Sequence, residues 1–198
     1  MKICRSAPPA RGADGIGYAG RGVIRQAPTL ALPLSRMNFR QAIIGAGMQI
    51  SFRPLMIGDL ATLRAWFEDA ELSRRLSFPT DEWFAYVTNG EPARCWVAMQ
   101  GDQLIAEVQV DRDGAERGYL DLAVCPDLRG RGFGAAVLSA FLSGPGQAYP
   151  ILEGRIEPDN AASLACCRHC GFALLPEPDA DGFIQAVYKM PRHAFGEF

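Results

Sequence analysis

The residues with the clearest chemistry run from Leu122 to Gly134, as Leu122-Ala123-Val124-Cys125-Pro126-Asp127-Leu128-Arg129-Gly130-Arg131-Gly132-Phe133-Gly134. An apolar strand ends at a proline, and an Arg/Gly loop then leads into a helix. Glycines at 130, 132 and 134 let the backbone turn its N–H groups inward without a Cβ in the way. A helix start adds unpaired donors and a partial positive charge, so the segment is built to hold a diphosphate. Each such contact contributes only about 0.3–1 kcal/mol, so several N–H groups must act together. A glycine-rich strand–helix turn with no ligand is the other reading. Two other phosphate motifs are excluded. No Gly-Lys-Ser/Thr follows the loop, and the glycine spacing is not GxGxxG with an acidic residue about 20 positions on.

Proton transfer has three carboxylate candidates, Glu107, Asp121 and Glu157. Asp121 lies between Leu120 and Leu122, and Glu107 among Ile105, Ala106 and Val108, so the sheet face each one takes is left open. Glu157 ends a strand and faces the next helix. A solvated carboxylate is the alternative for each. Cys166, Cys167, His169 and Cys170 cluster on one helix, which cannot wrap four ligands round one ion, and no second pair exists, so no metal is expected. Cys167-x-x-Cys170 lacks a thioredoxin context. His193 is isolated, so no Ser-His or Cys-His triad forms.

These residues need a frame, and hydrophobic periodicity supplies one. Gln49–Arg53 alternates as a strand. Asp59 is placed to cap a helix carrying Leu60, Leu63, Trp66 and Phe67, and Pro79-Thr80 opens a second, aromatic-rich helix with Trp83, Phe84 and Tyr86. Strands are expected at Cys95–Met99, Leu104–Val110 and Tyr119–Cys125, joined by Gly101-Asp102 and Asp113-Gly114 turns. A helix over Ala135–Leu142, a strand over Ile151–Glu157, a helix over Asn160–Cys170 and a strand pair, Phe172–Leu175 and Phe183–Met190, complete the order β-α-α-β-β-β-α-β-α-β-β. The class is α/β (α+β), one domain of about 150 residues with a central mixed, mostly antiparallel sheet of six to seven strands and about four helices.

The 198 residues, 48% hydrophobic and 21% charged, suit one soluble domain. Residues 1–47 hold seven Lys/Arg and one acid, whereas 48–198 hold 13 basic and 21 acidic residues. The acidic body argues against a nucleic-acid partner, and no apolar run reaches the roughly 18–20 residues of a membrane span. Residues 1–47 read as a disordered or non-native extension with Met48 as the natural start, or else as a basic targeting arm. The six cysteines come without a secretion signal, which points to reduced thiols and the cytoplasm.

Arg129, Gly132 and Gly134 fit the (Arg/Gln)-x-x-Gly-x-(Gly/Ala) signature of the GNAT superfamily, and Leu122, Val124 and Pro126 resemble the strand before it. Asn160-Ala161-Ala162-Ser163 followed by Gly171-Phe172 is similar to that family's next helix, with the same spacing. The resemblance covers residues 48–190. It implies an acetyl-CoA-dependent N-acetyltransferase that joins the acetyl group to a primary amine within a ternary complex. N–H groups from Arg131 to Gly134, in the loop begun by Arg129 and Gly130 and including Phe133, would hold the CoA pyrophosphate. Leu122, Ala123 and Val124 would flank pantetheine, Val124 through its main chain, and Asn160 and Ser163 would meet the cofactor arm. Many members carry a tyrosine as general acid where this chain has Cys167. Ile156–Ser163 resembles the branch of ribosomal-protein N-terminal acetyltransferases, in which Ser163 is the alternative donor. The acceptor is then a small-molecule amine or a protein N-terminus, and the protein a monomer or homodimer. A non-catalytic acyl-CoA-binding module is the alternative.

Overall fold

The computed structural model describes residues 42–44, 48–90, 92–114 and 116–191. His193 and most of residues 1–47 lie outside them. The strands are β1 (Ala42–Ile44), β2 (Met48–Pro54), β3 (Ala93–Gln100), β4 (Gln103–Asp113), β5 (Arg117–Val124), β6 (Ile151–Ile156), β7 (Ala173–Leu174) and β8 (Ile184–Lys189). The helices are α1 (Leu60–Trp66), α2 (Ala70–Arg75), α3 (Asp81–Thr88), α4 (Phe133–Leu142) and α5 (Ala161–His169). The strands form one mixed sheet in the order β1-β2-β3-β4-β5-β6-β8-β7, antiparallel except where β5 meets β6. Seven strands from β2 onward make the expected sheet, and β1 adds a short eighth at its edge.

Local chemistry explains most boundaries. Thr80 caps α3 by accepting the Trp83 N–H at 3.1 Å, and Asn160 caps α5 by accepting that of Ser163 at 3.2 Å. Gly101 and Gly114 take positive φ in the two hairpin turns. Two elements depart from the pattern. Asp59 precedes α1 but does not cap it. Its carboxylate accepts both Arg53 guanidinium nitrogens at 2.7 Å and the Met56 N–H at 2.8 Å, because a bidentate ion pair outcompetes a neutral cap bond. Helix α2 was not anticipated. It has no apolar stripe, and is held instead by the Asp69 cap on the Leu72 N–H and by ion pairs described below.

Strand alternation gives the sheet two different faces. Phe52, Trp96, Ala106, Val108, Leu122 and Val124 share one face by register, and α4 covers it, with Phe141 meeting Phe52 and Trp96 edge-on at 5.7 and 5.4 Å. The other face carries Cys95, Glu107, Gln109, Asp111, Asp121 and Ala123. Helix α3 packs there, and Trp83 Nε1–H donates to Gln109 Oε1 at 2.8 Å. One face is thus apolar and the other carries buried polar groups.

Candidate active site

The parallel pair β5 and β6 is joined only at Arg117–Tyr119 against Ile151–Glu153. Gly118 makes that junction tight, since a Cβ there would lie 2.5 Å from Val110 Cγ1 and 2.9 Å from Tyr149 Cδ1. Beyond Tyr119 the strands part, and β6 continues its pairing with β8 instead. The Cys125 N–H goes to Ile105 O of β4 at 2.9 Å, so by alternation the main-chain groups of Leu122 and Val124 point into the split. An extended chain placed in the split would find strand-like donors and acceptors on its β5 side.

The split opens onto the start of α4. Gly132 precedes the helix at φ 83° with no side-chain cap, and the first helical bond is Ala136 N–H to Gly132 O at 3.1 Å. The N–H groups of Phe133, Gly134 and Ala135 therefore have no acceptor within the helix. Gly130 at φ 70° and Gly132 both hold left-handed conformations, and a Cβ on either would meet nothing within 4 Å among the described residues, so they leave the space before the loop open. A cavity of about 450 Å³ begins there, lined by Val124, Arg129, the loop glycines, and Ala162, Ala165, Cys166 and His169 of α5. Arg129 binds Asp69 at 2.7 Å, while its Nε is buried with no hydrogen-bond partner among the described residues. Arg131 is exposed and lies over the Phe133 ring at 5.8 Å.

Ser163 and Cys167 are both fully buried, and neither contributes to that lining. Burial pushes the Cys167 thiol up to about 12. The lining instead takes residues 162, 165, 166 and 169, the helical stripe beside the Ser163–Cys167 row. The Cys166 thiol lies in hydrogen-bond contact with Cys170, which raises its pKa, and burial adds to the rise. Among the described residues no group of three or more His, Cys, Asp or Glu side chains converges to hold a metal ion.

The three carboxylates have different surroundings. Glu107 is buried, directly across from Ala123, and accepts the Cys95 thiol at 3.1 Å. Asp121 is buried on the same face, across from Gln109. Gln109 donates to Asp111 at 2.6 Å, and Tyr86 donates to the other oxygen of Asp111 at 2.7 Å, so α3 is tied to a polar column on β4. Glu157 is ion-paired to the buried Arg75 and lies 3.6 Å from Arg74. Arg75 also bonds Glu71 and, at 3.0 Å, Asp159. Sequence reading did not anticipate this network or the Asp69–Arg129 pair. The Glu71/Arg75 spacing was the one available signal.

The model of the acetyltransferase (GNAT) family matches residues 60–172, more than half of the chain. The chain belongs to that family. This GNAT chain is 34% identical over 143 residues to the uncharacterized N-acetyltransferase YfmK of Bacillus subtilis (strain 168), covering 70% of this chain and 95% of that protein. Among solved structures it is similar in fold to the GNAT domain of S. lividans PAT, with a TM-score of 0.61 at 18% identity over 76% of this chain and 96% of that one. It is also similar to spermidine N-acetyltransferase from Vibrio cholerae in complex with CoA and spermine, with a TM-score of 0.60 at 14% identity over 71% and 95%. The expected GNAT fold is therefore present, and among the described residues no helix is long and apolar enough to cross a membrane.

The site's own features fit a CoA-type group. An extended arm has strand donors to pair with, a diphosphate has three unaccepted helix N–H groups, and the buried Arg129 Nε supplies a further donor. The two left-handed glycines keep the approach clear.

Proposed function

We propose that this GNAT protein is an acetyl-CoA-dependent N-acetyltransferase acting on a small-molecule primary amine by direct attack in a ternary complex. The observation that carries this reading is the split between β5 and β6, open on the β5 side at Val124 and ending at the bare N-terminus of α4. Acetyl-CoA supplies an activated acyl group and a thiol leaving group. The residues that hold it are Arg129 to Gly134 at the pyrophosphate and Leu122 to Val124 along the arm, with the Val124 N–H positioned as a donor to a developing oxyanion, a contact typically worth about 3 kcal/mol.

The two sheet faces then divide the work. The cofactor cavity lies on the Val124 and α4 side, and the acceptor amine approaches from the α3 side, which carries Glu107, Gln109 and Asp121. A lysine-like amine is only about 0.04% neutral at pH 7, a penalty of roughly 4.6 kcal/mol, so attack needs a proton acceptor. Glu107 is the base we assign, directly or through one water. It sits across from Ala123, where paired Cβ atoms are about 4.5–5.5 Å apart, and Ala123 precedes Val124 at the split. Asp121 lies two register pairs further along, opposite Gln109, and lengthens the polar column. Glu157 is tied up in ion pairs and acts in shape rather than in proton transfer. The small-molecule acceptor is supported by the polar, buried character of the α3 face and by the spermine in one structural neighbour.

The test is release of free thiol from acetyl-CoA with a panel of polyamines, aminoglycosides and short peptides. One small amine accelerating release in the wild type, lost in Glu107→Gln, supports the reading. Thiol release with none of the small amines contradicts it.

A further inference from the structure

We infer that helix α2 is a strap across the open end of the cofactor cleft, with Asp69 and Arg75 as positioning residues that couple the helix to cofactor binding. This rests on the reading of the β5/β6 split as the cofactor site. Two sets of ion pairs, one at each end of α2, support it. At the N-terminal end Asp69 bonds Arg129 at 2.7 Å, and Arg129 follows β5 after the turn Pro126–Leu128. At the C-terminal end Arg75 bonds Glu157 and Asp159, and Arg74 bonds Asp159 at 3.0 Å, in the segment between β6 and α5. The two strands are parallel, so both sets of partners sit at the same end of the split, one on each lip. Helix α2 therefore joins the lips where the strands have separated.

The dimensions agree. Six helical residues rise about 9 Å, roughly twice the 4.8 Å spacing of paired strands. A gap of two strand spacings admits one extended chain between β5 and β6. The strap is also firmly held. The Arg75 side chain is only 6% exposed and meets three carboxylates. The Arg129 guanidinium holds the Asp69 carboxyl below its usual range, and Arg75 does the same for Asp159. Both lips carry cofactor-binding residues: Arg129 opens the phosphate loop, and Asp159 precedes Asn160, the cap of α5. Ordering of these segments by ligand reaches α2 directly through the ion pairs. By reciprocity, a displaced α2 weakens the ligand.

The experiment is amide hydrogen exchange on the full chain with and without CoA, comparing the wild type, Arg75→Lys and the double variant Asp69→Asn/Arg75→Met. Asn keeps the α2 cap while removing the charge that Arg129 meets, and Met keeps the Arg75 stem. CoA should slow exchange of residues 130–136 in all three proteins. It should slow residues 70–76 by about 5-fold or more in the wild type, less in Arg75→Lys, and not in the double variant, since local opening is what exchange reads. A helix that is merely structural exchanges faster in the double variant without losing a CoA response. Wild-type protection at 130–136 with none at 70–76 overturns the strap alone, as does a response at 70–76 that survives in the double variant. No protection at 130–136 overturns the cofactor reading, and the strap falls with it.

Discussion

Three side chains meet different environments, and each environment sets what the side chain can do. Glu107 is buried beside the split and accepts the Cys95 thiol, so its carboxylate is held in place on the face an amine would reach. Replacing it by Gln should lower kcat/KM by roughly 100-fold near neutral pH, with the loss shrinking as pH approaches the amine's own pKa. A pH–rate profile checks this, and an unshifted profile would assign the base elsewhere. Cys167 stands where the family resemblance would put a general acid, but its thiol is pushed up to about 12. Handing that proton to a thiolate near 8.5 would be uphill by about 5 kcal/mol. Cys167→Ala should therefore keep kcat within about 3-fold while lowering the unfolding midpoint, because it leaves a small void. Asp179 accepts Arg155 at 2.7 Å and is held down to about 2, against about 3.9 in an unfolded chain. Its contribution to stability is present above pH 4 and is lost as pH falls through about 2. Thermal unfolding from pH 6 to 2 should show the acid-side slope reduced in Asp179→Asn.

At the scale of elements, the split depends on one tight contact. Gly118 lets β5 approach β6 closely enough to pair for three residues before the strands part, and a methyl group there meets Val110, Tyr149 and Leu152. Gly118→Ala should cost about 1–3 kcal/mol, measured by denaturant unfolding, and should weaken cofactor binding because the split is anchored there. A neutral result would mean that the junction relaxes freely. Strand β5, the glycine-rich turn after it and helix α4 were legible in the sequence, because glycine spacing and apolar periodicity are local signals. Helix α2 was not, since it follows no apolar period and owes its place to partners at Arg129, Glu157 and Asp159, which are 54 or more positions along the chain from Arg75. Asp59 failed as a cap for a different reason: a bidentate ion pair with Arg53, only six positions back on the preceding strand, takes its carboxylate. The cavity stripe on α5 was missed by one helical position, Cys166 rather than Cys167, which neither composition nor motif distinguishes.

For the whole molecule, the mixed sheet separates two tasks. Its apolar face, which presents Trp96 to Phe141, fixes α4 and so the open N-terminus of that helix, while its polar face presents carboxylates beneath α3. The sequence patterning showed that an α/β sheet existed and, apart from β1 and α2, the order of its elements along the chain. It did not show which face Glu107 and Asp121 would take, since that depends on the pairing of β4 with β3 and β5 rather than on neighbours along the chain. Under the proposed function, acetyl-CoA occupies the split and the α4 N-terminus. Thermal unfolding with acetyl-CoA, with Gly132→Asp as the comparison, tests this most directly. An aspartate there puts a side chain at φ 83° and a negative charge at the pyrophosphate site. At 100 times its dissociation constant the ligand should stabilise the wild type by about 2.7 kcal/mol, an upward shift of roughly 5–10 °C, and leave the folded variant unmoved. A wild type that is well folded and shows no shift, or a variant that shifts equally, would contradict the assignment.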